Sequence, residues 1–189
     1  MTKIIDLLRD EHRTIEKLLV VLEQELHVFD RRERPDYEIL QAVIDYFEGF
    51  PERSHHPKED LIFAALQARD PAAAARVANL EAEHRQGSQR LERLAHTVAS
   101  ILTDHELRRE TFDAVMRDFI DAERAHIAFE EQSFFPAAAK ALRPQDWAEL
   151  ETKLSGGSDP LLNGAIEEKF RALQQRILSW EEENERARA

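Results

Sequence analysis

The chain has 189 residues, enough for one compact unit with a sizeable core and too few for two comfortable ones. Five Gly and seven Pro set against abundant Ala, Leu, Glu and Arg favour helices and exclude a sandwich, barrel or Rossmann sheet, which need frequent Gly and Pro turns. Cysteine is absent, which removes disulfides, thiolate ligands and cysteine nucleophiles, and the net charge of −12 opposes nucleic acid and anionic membrane surfaces.

In chain order, Ile5, Leu8, Ile15, Leu19, Leu22 and Leu26 step by three and four and draw one apolar stripe along a first helix. His12 fills the one gap in that stripe. Lys3, Asp6, Arg9 and Asp10 break up the N-terminal apolar residues, so neither a signal segment nor a membrane span is expected and the cytoplasm is the default location. A second segment, about Asp36 to Ala68, leads in with Leu40, Ile44 and Phe47 and out with Ile62 and Leu66. Its middle holds Pro51 and Pro57, which lack a backbone N–H, so a kinked or twice-started helix is expected there.

Asp70-Pro71 reads as an N-cap and first-turn proline opening a third helix that ends near Thr103-Asp104, with Val77, Leu80, His84, Gly87, Leu91, Leu94, Val98 and Ile101 as its stripe. A fourth helix, about Glu106 to Leu142, repeats the rhythm at Phe112, Met116, Phe119, Glu123, His126, Glu130, Ser133 and Ala137. Short loops between such helices predict an all-α, antiparallel up-down-up-down four-helix bundle over residues 1–142. Residues 143–189 are a C-terminal helical extension: a short helix from Pro144 to Leu154, a turn over Ser155 to Pro160, and a last helix from Leu161 to about Arg186. Its apolar face, Leu162, Ile166, Phe170, Leu173, Ile177 and Trp180, needs the bundle flank or a second copy in a homodimer.

The two halves of the bundle repeat each other. Leu-x-x-Glu-His-Arg occurs at Leu8 to Arg13 and at Leu80 to Arg85. Glu-Arg-x-His-x-x-x-Glu with a further acid occurs at Glu52 to Asp60 and at Glu123 to Glu131, each with a Phe eight residues after the His, Phe63 and Phe134. His12 and His55 stand 43 residues apart, His84 and His126 42.

Residues four apart share a helical face, so two hairpins related by a pseudo-two-fold bring His12, His55, Glu59, His84, His126 and Glu130 together at mid-height. A lone His in a stripe is ordinarily a hydrogen-bonded core residue, and a lone HxxxE an ordinary surface pair. Recurrence in both halves changes this, because burying that many imidazoles and carboxylates is costly unless one agent satisfies them all. Two first-row metal ions do so, and Fe, Mn and Zn all accept this donor set.

These residues, with His55-His56-Pro57-Lys58-Glu59-Asp60, Glu83-His84 and Glu130-Glu131-Gln132-Ser133-Phe134-Phe135-Pro136, resemble the hemerythrin-type HHE cation-binding domain over about residues 1–142. The resemblance implies two iron ions in a non-haem, carboxylate-bridged centre. Oxygen-carrying hemerythrins have a second His one turn after the first on the third helix, where this chain has Ser88. The set of four His and two Glu is more similar to the bacterial iron-centre repair and stress proteins of the same superfamily.

Around these six, Glu52 and Glu123 are candidates for extra ligands or acceptors of imidazole N–H, or else for capping and for pairing with Arg53 and Arg124. Gly87 leaves room for the metals or a ligand, or marks a close helix crossing. His56 points about 100° away from His55, so His55 is the expected ligand and His56 is exposed or lies just outside the ligands. His27, His96 and His105 fall far from the site. The leading expectation is a protein that binds dioxygen, nitric oxide or a peroxide for sensing, storage or detoxification, more a binding protein than an enzyme. The competing expectations are a di-iron oxidase, peroxidase or iron-cluster repair protein, supported by Glu52 and Glu123, and a metal-stabilised helical interaction protein.

Overall fold

The apolar stripes wind into helices, and the prolines decide where those helices break. In the computed structural model, which describes residues 2–77, 80–103, 108–155 and 164–188, α1 spans Lys3–Asp30, α2 Tyr37–Phe50, α3 His56–Arg69, α4 Pro71–Arg76, α5 Leu80–Leu102, α6 Arg109–Phe129, α7 Phe135–Ala141, α8 Pro144–Ser155 and α9 Gly164–Arg188. No strand occurs among the described residues. Asp36 caps α2, its carboxylate accepting from the amides of Glu38 and Ile39 at 3.0 and 3.2 Å, an arrangement worth about 1 kcal/mol. Asp70 caps α4 through the amide of Ala73 at 2.9 Å. The single helix expected from residue 71 is two helices: the backbone turns out of helical geometry at Val77 (ψ 22°), and α4 packs on α3 and α7 instead of extending α5. His105 and Glu106 lie outside the described residues, as do 156–163 with most of the expected turn, Leu161 and Leu162; so does the side chain of Ile166.

Two breaks of register position the centre. α2 runs into α3 through a π-turn over Pro51–His55, and α6 into α7 through another over Glu130–Phe134. The amide of His56 reaches the carbonyl of Pro51, and that of Phe135 reaches Glu130, a span of five residues. Each π-turn ends two residues before a proline, Pro57 or Pro136. A proline ring offers no N–H and crowds the carbonyl four residues back, and the preceding turn widens.

α1, α2, α5 and α6 pack as a ring of four, each on its two neighbours. Their interior is divided. One apolar core holds Ile15, Leu19, Phe47, Phe50, Leu91, Phe119 and Ile120 among others. The second, at the other end, holds Leu8, Ile62, Leu80, Phe134 and Phe135, and Trp147 and Leu150 of α8 close it. Along every rod the expected ligands fall between the two: His12 between Leu8 and Ile15, His55 and Glu59 between Phe50 and Ile62, His84 between Leu80 and Leu91, and His126 and Glu130 between Ile120 and Phe134. A polar layer therefore separates two dry ends.

α9 lies along α2 and α1. Phe170 covers Gly49, where a Cβ would stand 2.1 Å from the ring, so only glycine permits this approach. The same ring meets Tyr46 edge-on at 5.7 Å, and Ile177 is buried beside it in the first core.

Candidate metal centre

Glu59 and Glu130 enter the polar layer from α3 and from the second π-turn, and neither exposes any surface. Each spreads its two oxygens toward opposite sides. Glu59 Oε1 lies 3.5 Å from His55 Nε2 and 4.0 Å from His12 Nε2, while its Oε2 lies 3.4 Å from His84 Nε2. Glu130 Oε2 lies 3.2 Å from His12 Nε2, and its Oε1 3.0 Å from His126 Nε2 and 3.8 Å from His84 Nε2. Donor atoms of His12, His55, Glu59 and Glu130 all fall within 4.8 Å of one another, and so do those of His56, Glu59, His84 and His126. Both groups are able to hold a metal ion, and Glu59 belongs to both.

His12 Nε2 and His55 Nε2 bond each other at 3.1 Å, but most of the other inward atoms have no hydrogen bond. Both oxygens of Glu59, both of Glu130, Nε2 of His84 and of His126, and Nδ1 of His56 are buried with no hydrogen-bond partner. Each such orphan costs about 1–3 kcal/mol, and more when charged. Lone pairs directed at common points are what a cation repays, so these residues fit a metal pair.

The outer nitrogens of His55, His126 and His12 are, by contrast, well held. His55 Nδ1 bonds Glu11 at 2.8 Å, and Lys58 Nζ reaches Glu11 at 2.6 Å and the Ser54 hydroxyl at 2.9 Å. His126 Nδ1 bonds Glu83 at 3.1 Å. His12 Nδ1 bonds Glu131 at 3.0 Å, and Arg9 steadies that carboxylate at 2.8 Å. Asp60 approaches His84 Nδ1 at 3.9 Å. The pattern has two-fold logic. The Glu preceding the first His of each half serves the second His of that half, whereas the acid following each HxxxE serves the first His of the other half. Such carboxylate partners orient a ligating imidazole and raise its basicity.

Residues 3–138 match the family described as the hemerythrin HHE cation-binding domain. The chain belongs to this family. No curated protein and no solved structure matches it.

Without ions, the hemerythrin-type centre is electrostatically strained. Burial, reinforced by the Glu130 charge, pushes the Glu59 carboxyl well above the ordinary carboxylate range. Burial would raise Glu130 too, but the His12, His126 and His84 imidazoles close beside its oxygens outweigh it and hold Glu130 well below the ordinary carboxylate range. Burial opposes charging of His126, yet Glu130, Glu59 and Glu83 lift it to about 9. His55 is pulled down by burial, which Glu11 offsets only in part.

A cavity of about 360 Å³ opens on the His84–His126 side, with His56, Glu123, Gly87 and Phe119 in its wall. A Cβ at Gly87 would stand 3.4 Å from Glu123 Oε1, so the missing side chain leaves space in the cavity beside that carboxyl. Burial raises Glu123, against the pull of His126. Arg124 turns away from Glu123 to Glu16 and Glu23, at 3.0 and 3.1 Å. Glu52 is exposed at the rim and accepts from the Ser88 hydroxyl at 2.5 Å. At the other face of the layer Phe135 stacks on His12, and Phe63 meets Phe134 at 6.1 Å between centroids. His27 and His96 are exposed.

The six residues singled out by the repeat thus come together, and His56 joins them from a place that helical periodicity assigns to the periphery. Glu11, Glu83, Glu131 and Lys58 are working parts that spacing alone does not flag. A signal for three of them lies in the repeat itself, in the Glu of both Glu-His-Arg motifs and the acid after both HxxxE motifs.

Proposed function

We propose that this hemerythrin-type protein holds two iron ions in a non-haem, carboxylate-bridged centre and there binds dioxygen, nitric oxide or a peroxide, as a sensor, store or detoxifier in the cytoplasm. His12 and His55 would hold one ion and His84 and His126 the other, as neutral imidazoles, and Glu59 and Glu130, each with oxygens near both pairs, would neutralise part of the charge. One observation carries this reading: the inward donor atoms of Glu59, Glu130, His84 and His126 are buried without a hydrogen-bond partner, whereas the outward nitrogens of the two histidines face carboxylates. Iron, when bound, supplies the electrons and the vacant coordination that a small oxidant needs.

The chain supplies everything else. Glu11, Glu83 and Glu131 accept from the Nδ1 atoms of His55, His126 and His12 and so fix the tautomer that leaves Nε2 free for metal. Phe119 and Phe129 give part of the cavity wall an apolar surface, and the ligand enters past Glu52. No helix among the described residues is long and apolar enough to cross a membrane. Metal analysis of protein purified without oxygen should give two irons per chain, with new visible absorption when oxygen is admitted. Iron well below two per chain, or no optical response, would overturn the reading.

Two features favour a second reading, a di-iron oxidase or peroxidase. The cavity of about 360 Å³ far exceeds a diatomic, and Glu123 places a carboxyl in its wall whose pKa is raised by burial. Peroxide consumed over many turnovers favours the oxidase or peroxidase, and a stable coloured adduct the binding protein.

A further inference from the structure

In the repeat His55 corresponds to His126, so His56 corresponds to Ile127. One half carries an imidazole where the other carries an aliphatic side chain. The His56 ring stacks on His84 at 3.8 Å and 12°, and stands edge-on to His126 at 6.4 Å. Its Nδ1 is buried without a hydrogen-bond partner, and the Glu52 carboxylate stops 3.8 Å away. One of its ring nitrogens lies within 4.8 Å of donor atoms of Glu59, His84 and His126. Adjacent helical residues point about 100° apart. That angle forbids His55 and His56 from sharing an ion, but it suits two ions that share Glu59. The widened turn over Pro51–His55 ends between the pair.

We propose that His56 is a fifth imidazole ligand and binds the ion held by His84 and His126. This rests on the two-metal reading and adds an inequality to it. The position at His12 and His55 has two imidazoles, and the position facing the cavity has three. The third imidazole arrives from the α3 side of the centre and not from one turn beyond His84, where Ser88 stands.

The test is anaerobic titration with Co(II), followed by its visible absorption, on the full chain and on His56→Ile, which copies Ile127. The unaltered protein should take up two Co(II), and His56→Ile one tightly, with the second weakened by roughly tenfold or more. His56→Glu, which keeps a donor atom, should restore much of the second site, whereas a residue that only packs on His84 would be served by neither replacement. If His56→Ile does not fold, His56→Phe, which keeps a ring to stack on His84 and has no donor atom, is read the same way. Two Co(II) bound by His56→Ile with unchanged affinity and spectrum would overturn the role of His56 and leave the two-metal reading standing. Fewer than two in the unaltered protein would overturn the two-metal reading itself.

Discussion

On the first hairpin's side of the centre, Glu11 bonds His55 and is held in turn by the buried ammonium of Lys58 at 2.6 Å. On the second, Glu83 bonds His126 with its side chain 38% exposed, and the counterpart of Lys58 is Phe129 in the cavity wall. One repeat therefore produces a sealed side and an open side. The ligand spacing is common to both, and the residue three after each HxxxE histidine decides whether the outer carboxylate is locked in by a charge or left at a cavity. The imidazoles respond accordingly: burial draws His55 down, while the carboxylates around His126 lift it to about 9.

The largest way to break this comparison is to remove what the two sides share. Glu59→Leu should take metal content from two per chain to below one, and should stabilise the metal-free protein by about 1–3 kcal/mol because a buried, unpaired carboxyl disappears. Metal analysis and urea denaturation read the two effects, and retention of one tight metal would show that the sites do not depend on a common carboxylate. Next in size, Glu11→Gln removes the carboxylate beside buried Lys58 and should cost about 3–5 kcal/mol in denaturation. Its counterpart Glu83→Gln should leave stability nearly unchanged and weaken metal binding about 10–100-fold. Equal stability losses in the two variants would erase the distinction between sealed and open sides.

A pH series sharpens the contrast further. In the metal-free protein the folded His126 is raised to about 9, above its ordinary value, so its contribution to stability is complete below pH 6.5 and is lost as pH climbs to 9. Glu59, also raised, acts in the same direction above the ordinary carboxylate range. Thermal denaturation of the metal-free protein should therefore fall over pH 6.5 to 9, while metal affinity rises because fewer protons must be displaced. The smallest effect is expected from Asp60→Glu. One more methylene brings a carboxylate now 3.9 Å from His84 Nδ1 into hydrogen-bonding reach and should tighten metal binding by less than about tenfold, seen by competition with a chelator.

The four rods and the six inward residues are legible in the sequence because helical periodicity and an internal repeat are local signals. His56 is not, since its assignment depends on a centre wide enough for two ions and on the widened turn before Pro57. A helical wheel drawn about a single metal puts it outside. The division of the third helix at Val77 is hidden because α4 is held by its packing on α3 and α7, a matter of tertiary contact. The seat of α9 is hidden for the same reason. Nothing near Gly49 in sequence announces that Phe170, more than a hundred residues later, lies over it.

The split interior has a consequence for motion. Helical bundles ordinarily loosen from their ends inward, since the ends have the fewest neighbours. Here apolar mass sits at both ends, and the middle holds the unpaired polar atoms and both widened turns. Local opening follows the weakest packing, so amide hydrogens around His55 and Glu130 should exchange earlier than those near Leu22 or Leu66. The waist of the molecule yields first, and ions bound there would tighten it like a belt.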